Sequence, residues 1–208
     1  DANTTGTDNV AIGTYALGSN TTASNNVGIG KNALFTNTTG TNNVAIGKGA
    51  AYSTTTGGAN LAIGANALYA NTTGSLNIAM GTETLDSNTT GANNIAIGPY
   101  ALQANTTASN NTAIGFKAMF SNTTANNNTV FGYQAGYSNV TGSGNVFIGS
   151  NDGYSETGSN KLYIANGSAT SARLIYGDFS TGNMTIVNGS GTINFSAGTV
   201  NTRELRIN

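Results

Sequence analysis

The feature that most constrains this chain is a spacing. Gly13, Gly30, Gly47, Gly64, Gly81, Gly98, Gly115, Gly132 and Gly149 recur every 17 residues without a gap. Four residues before each stands an asparagine: Asn9, Asn26, Asn43, Asn60, Asn77, Asn94, Asn111, Asn128 and Asn145. The unit reads N-φ-A-I-G-x-x-A-L-φ-x-N-T-T-G-x-N, in nine copies with no insertion. Fixed periods of this kind mark repeat architectures, and helical repeats need about 33 residues or more. Seventeen residues hold two short strands and two corners, which is one coil of a β-solenoid. Stacked at about 4.8 Å per coil, nine coils make a rod roughly 43 Å long.

Two strand candidates recur in each unit. The first is Val10-Ala11-Ile12, echoed by Val44-Ala45-Ile46 and Ile95-Ala96-Ile97. The second is Tyr15-Ala16-Leu17, echoed by Asn66-Ala67-Leu68 and Tyr100-Ala101-Leu102. A glycine corner and an Asn-Thr-Thr-Gly loop separate them, both made of residues that tolerate turns. Period-2 alternation places Val10 and Ile12 on one face of the first strand. With Leu17 opposite, they are expected to fill the coil, as are Val27/Ile29/Leu34 and Ile78/Met80/Leu85. The other face then carries Ala11, Gly28, Ala45, Ala62, Ala79, Ala96, Ala113, Val130 and Phe147. A column of small residues facing outward implies a close neighbour, so these positions are the expected interface between chains.

Energetics point the same way. Three large apolar side chains per coil contribute about 1.5–3 kcal/mol each when fully buried. Ordering a coil's backbone costs about 1–2 kcal/mol per residue. A thin solitary roll is marginal on these terms, and burial of a second face between copies supplies the deficit. The asparagine column is expected to be structural, an amide ladder from coil to coil. The triplets at Asn3, Asn37, Asn71 and Asn88 match glycosylation acceptors formally, but they follow from the repeat.

The pattern decays after Gly149. The chain divides into a solenoid array over 1–154 and a second β module over 155–208, with strands expected at Lys161–Ala165, Arg173–Tyr176, Met184–Val187, Thr192–Phe195 and Val200–Ile207. Eight of the chain's fifteen charges lie from Asp152 onward. At the other end, Asn3-Thr4-Thr5-Gly6 matches Asn37-Thr38-Thr39-Gly40, so the chain is expected to be a piece of a longer fibre.

The N-φ-A-I-G-x-x-A unit resembles the head repeats of trimeric autotransporter adhesins of the YadA type, and more closely the repeat arrays of phage-type tail fibre proteins. Ser159-Asn160-Lys161-Leu162-Tyr163-Ile164-Ala165, followed by Leu174-Ile175-Tyr176-Gly177-Asp178-Phe179, is similar to the region after such arrays in tail fibres. The resemblance covers residues 3–187. It implies a left-handed parallel β-roll, a homotrimer around one axis, an extracellular place on a virion or cell surface, and a role in host-cell attachment through a receptor or glycan. The 17-residue period is longer than in adhesin heads, and no anchor barrel or coiled-coil stalk is visible. Both departures favour a tail fibre over a bacterial adhesin head.

Composition excludes several chemistries. With no Cys and no His, thiol catalysis, imidazole chemistry and Cys/His metal sites are absent from the chain's repertoire. A net charge of −1 gives no footprint for nucleic acid. No apolar run approaches 18 residues, so membrane insertion is not expected. Neither a metal nor another cofactor is expected, since no Asp-rich calcium repeat occurs. Enzymatic hydrolysis of a glycan needs a carboxylate pair. The candidates Glu83/Asp86 and Asp152/Glu156 read better as solvated or capping groups, so a polysaccharide depolymerase is the weaker alternative and no catalytic residue is assigned. An ice-binding solenoid would display Thr-x-Thr on a flat strand, whereas Thr38-Thr39 and Thr89-Thr90 are adjacent in loops. The aromatic column of Phe35, Tyr52 and Tyr69, resumed at Phe120, Tyr137 and Tyr154, is the one feature suited to stacking on sugar rings. Tyr52, Tyr69, Tyr137 and Tyr154 are the candidate glycan-stacking residues.

Overall fold

A computed structural model describes residues 2–167 and 173–186. Among these the chain is all-β, without a helix, and forms a parallel β-solenoid of nine 17-residue coils. Each coil contributes one three-residue strand: β1 (Val10–Ile12), β2 (Val27–Ile29), β3 (Val44–Ile46), β4 (Leu61–Ile63), β5 (Ile78–Met80), β6 (Ile95–Ile97), β7 (Thr112–Ile114), β8 (Thr129–Phe131) and β9 (Val146–Ile148). They pair in parallel and in register, Val10 with Val27 and onward to Thr129 with Val146.

The first coil-to-coil step of a different length follows β9. Leu162 pairs with Val146, a step of 16 residues, in β10 (Lys161–Ala165). The chain then reverses. β11 (Arg173–Asp178) pairs antiparallel with β10, and β12 (Asn183–Ile186) antiparallel with β11, extending one continuous twelve-stranded sheet. The expected strands at Thr192–Phe195 and Val200–Ile207 lie outside the described residues, as does Val187.

The second repeating strand is not a strand. Its residues form a run of tight turns in which two positions per coil are left-handed: Asn32 and Leu34, Asn66 and Leu68, Tyr100 and Leu102, with φ between 50° and 62°. A left-handed leucine is costly, on the order of 1–2 kcal/mol. Complete burial of Leu34, Leu68, Leu85 and Leu102 offsets it. Glycine standing in for the usual residue in these columns (Gly49, Gly136, Gly153) is the sequence trace of that geometry.

The face assignment is reversed. Ala45, Ala62, Ala79, Ala96, Ala113, Val130 and Phe147 are fully buried inside a single chain, so they are core residues and not an interface between chains. Gly28 is buried as well, and Ala11 is exposed only because it sits in the first coil. The reason is width. A Cβ placed on Gly28 would lie 3.3 Å from the carbonyl oxygen of Ala33 and 3.3 Å from Cγ of Leu17, so the opposing wall leaves room for a methyl group and little more. Val and Ile of the strands point outward instead, half-buried or exposed.

The change to Val130 and Phe147 is size compensation within the chain. The leucine column ends in Gly136 and Gly153, and the Phe147 ring occupies the space both vacate: built Cβ atoms there would meet it at 3.0 and 2.8 Å. Phe147, Tyr163 and Tyr176 then stack at 5.3 and 5.2 Å, carrying the core into the antiparallel strands.

Candidate functional site: the ladders and faces of the rod

The asparagine column is the spine of the coil stack. Each Oδ1 accepts the backbone N–H of the next asparagine at 2.9–3.1 Å, from Asn9 through Asn145. From Asn60 to Asn128 each Nδ2 also donates to the preceding Oδ1, at 3.1–3.3 Å. A second donation reaches a carbonyl of the following corner, as from Asn77 to Gly91 at 2.9 Å. Asn145 closes the spine by accepting from the Lys161 N–H at 2.8 Å.

A second amide ladder runs through the Asn-Thr-Thr-Gly corner, where the sequence suggests only a loop. Asn88, Asn105 and Asn122 donate through Nδ2 to Asn71, Asn88 and Asn105 at 2.8–2.9 Å, and all are fully buried. Thr54 interrupts this column, and Asn37 Oδ1 below it has no hydrogen-bond partner. Recurrence of Asn at this position in every unit but the one with Thr54 is the sequence signal for it. Since Asn37, Asn71 and Asn88 are buried ladder members, those triplets offer no accessible amide for glycosylation. The first threonine of the triplet is also structural: Thr38, Thr55, Thr72, Thr89 and Thr106 donate to carbonyls of the next coil at 3.0–3.2 Å.

The aromatic column forms two face-to-face stacks. Phe35, Tyr52 and Tyr69 lie 5.3 and 4.9 Å apart, and Phe120, Tyr137 and Tyr154 lie 5.1 and 4.9 Å apart, all within 20° of parallel. Tyr52 and Tyr137 therefore spend both ring faces on neighbouring rings and cannot stack on a sugar; Tyr69 and Tyr154 are terminal in their stacks. A neighbouring column, varied in the repeat, adds Phe116 stacked on Tyr133 at 5.5 Å; Tyr100, one unit before Lys117, lies edge-on to Phe116. Lys117 sits between the columns, its Nζ 5.7, 5.5 and 5.3 Å from the rings of Tyr100, Phe116 and Phe120.

The two carboxylate pairs sit in different surroundings. Glu83 accepts from Gln103 Nε2 at 2.8 Å. Burial, then the nearby Glu83 charge, pushes the Asp86 carboxyl above its usual range. Asp152 is fully buried with Oδ2 accepting the Ile148 N–H at 3.3 Å, while Glu156 accepts from the Tyr163 hydroxyl and the N–H groups of Thr157 and Gly158. Burial raises the Glu156 pKa, but those hydrogen bonds and Lys161 together bring it below the ordinary value. Lys161 and Asp178 pair at 2.6 Å across β10 and β11; that hydrogen bond, with those from Ser180, holds Asp178 down at about 2.

Among the described residues no three or more His, Cys, Asp or Glu come together as a metal-holding group. No helix among them is long and apolar enough to cross a membrane. Comparison with protein-family models, curated proteins and solved structures finds no match to this chain.

What remains is an unpartnered outer sheet face. Two rows run along the solenoid: Val27, Val44, Leu61, Ile78 and Ile95 in one, which turns polar at Thr112 and Thr129 before Val146, and Ile29, Ile46, Ile63, Met80, Ile97, Ile114, Phe131 and Ile148 in the other. Ile46, Met80, Phe131 and Ile148 are all more than a third exposed. Ile29 to Ile148 thus form an outward apolar row along the whole coil stack, half-buried or exposed at each rung.

Proposed function

We propose that this chain is a segment of a homotrimeric extracellular fibre, tail fibre-like, that carries or displays receptor-binding surface for host-cell attachment. The observation that carries the reading is the outer apolar row from Ile29 to Ile148, flanked from Val27 to Ile95 by a second one. Three copies placed around one axis bury it, and cyclic closure leaves no copy with an open stripe. The interface is thus assigned to the large β-branched rows, while the alanine column serves the core. The stack of coils contributes stiffness, and residues 155–208 act as a small β module that continues the fibre. Attachment is multivalent, three identical outer surfaces turning weak contacts into avidity on the order of 10²–10⁴. No catalytic step is part of this reading: Glu83, Asp152 and Glu156 each accept hydrogen bonds from neighbouring groups of the chain.

Light scattering on the purified chain tests the assembly: the expected mass is three times that of the chain. Ile63→Lys combined with Ile97→Lys places two charges on the outer row and is expected to give folded monomers by circular dichroism. At equal chain concentration those monomers should bind intact bacterial cells at least about a hundredfold more weakly than the parent, across a panel of strains. A parent chain that is monomeric at micromolar concentration overturns the reading.

A further inference from the structure

We propose that the coils carrying residues 99–154 form a binding strip for an acidic glycan, with Lys117 as its charge-reading residue; this deepens the attachment reading above. The strip has aromatic walls and a polar floor. One wall is the Phe116–Tyr133 stack and the other the Phe120–Tyr137–Tyr154 stack. Between them, one residue per coil, run Lys117, Gln134 and Asn151, all at left-handed corners. The Lys117 ammonium, 5.5 Å from one wall and 5.3 Å from the other, fixes their relation. Cation–π contacts on both sides hold a cation that would otherwise sample many rotamers.

Three observations select the occupant. Tyr133 is 50% exposed and Phe116 37%, so this part of the wall is open to a ligand, unlike the ring faces inside the stacks. Floor amides and tyrosine hydroxyls supply both donors and acceptors, which suits a polyhydroxylated chain. Lys117 is the only charged residue between Asp86 and Asp152, and Asp152 is fully buried, so no exposed carboxylate within 99–154 competes for an anion. The rungs are about 4.8 Å apart, close to what one sugar residue adds to an extended polysaccharide lying along the rod. A carboxylate or sulfate at one rung pairs with Lys117, and the sugars beyond it meet Gln134 and Asn151.

The test is a glycan array of uronic, sialic and sulfated oligosaccharides beside their uncharged counterparts, probed with the full 208-residue chain. At least one acidic member is expected to bind tenfold or more tightly than its neutral partner, with affinity falling as salt rises. Lys117→Met should abolish that preference, Lys117→Arg should retain most of it, and Tyr133→Ala should weaken binding of acidic and neutral members alike. Lys48→Met, on the opposite half of the rod, should change nothing. Circular dichroism checks that each variant is folded. No acidic preference, an unchanged preference in Lys117→Met, or equal retention of single-stranded DNA overturns the proposal. Light scattering on the same samples keeps the two readings apart: a trimer that ignores glycans sinks the strip alone, and a monomer that binds them sinks the trimer alone.

Discussion

Replacing Asn77 by alanine probes the bonding that holds one coil on the next. Asn77 makes four side-chain hydrogen bonds: Nδ2 donates to Asn60 Oδ1 and to the Gly91 carbonyl, and Oδ1 accepts from the N–H and the Nδ2 of Asn94. Three of the four partners keep another bond. Asn60 Oδ1 still accepts the residue-77 N–H, the Gly91 carbonyl still accepts from Asn88, and Asn94 Nδ2 still donates to the Ala108 carbonyl. The Asn94 N–H is stranded at a fully buried position. An unsatisfied buried donor costs about 1–3 kcal/mol. Loss of the close-packed amide adds on the order of 1 kcal/mol. The expected destabilisation is therefore about 2–4 kcal/mol, read from urea unfolding followed by far-ultraviolet circular dichroism. The matched control is Thr90→Ala, an exposed position expected to stay within about 0.5 kcal/mol of the parent. If Asn77→Ala also stays within that margin, the amide ladder contributes nothing and the account of coil registry fails.

Three further outcomes follow from the same contacts. Gly64→Ala puts a Cβ 2.4 Å from the Gly81 carbonyl oxygen at a φ of +135°, so the variant should lose several degrees of melting temperature or fail to fold. Ala79→Leu should cost about 1–3 kcal/mol or more by overpacking the narrow core, while Ile97→Val on the outer row should cost under about 1 kcal/mol in a chain held monomeric; the opposite order restores the reversed face assignment. Acid should loosen the β10–β11 pairing: the Asp178 carboxyl titrates lower in the folded chain than in the unfolded one, so its contribution is complete above the usual carboxylate range and is lost as pH falls toward about 2. Glu156 has the same sign, and hydrogen exchange at β10 amides should accelerate over that window, with Asp178→Asn flattening the response.

Much of the fold was legible because the period is unbroken. Gly64 and its equivalents announce a corner that only glycine fits, and the asparagines announce a stacked column. Alternation along Val44-Ala45-Ile46 separates two faces, yet parity alone does not say which face is inside. That choice is made by the distance to the opposing wall, a property of the whole coil. The paired changes were visible, however: leucine gives way to Gly136 and Gly153 where alanine gives way to Val130 and Phe147. The turn at Leu34 and Leu68 was hidden because leucine carries no sign of left-handed backbone. Of the candidate site, the aromatic column was readable, but the stacking that occupies the faces of Tyr52 and Tyr137 was not. Nor was the place of Lys117 between two columns, since its ring partners come from different positions of the repeat.

The uniform spine also bears on how such a chain changes over generations. Every rung bonds to the one above and the one below through the same few atoms, so a whole unit can be duplicated or deleted with both cut surfaces still matching. Reach then varies in steps of about 4.8 Å while cross-section stays constant. A lone inserted residue enjoys no such freedom within the array, because it would carry an asparagine out of line with its successor.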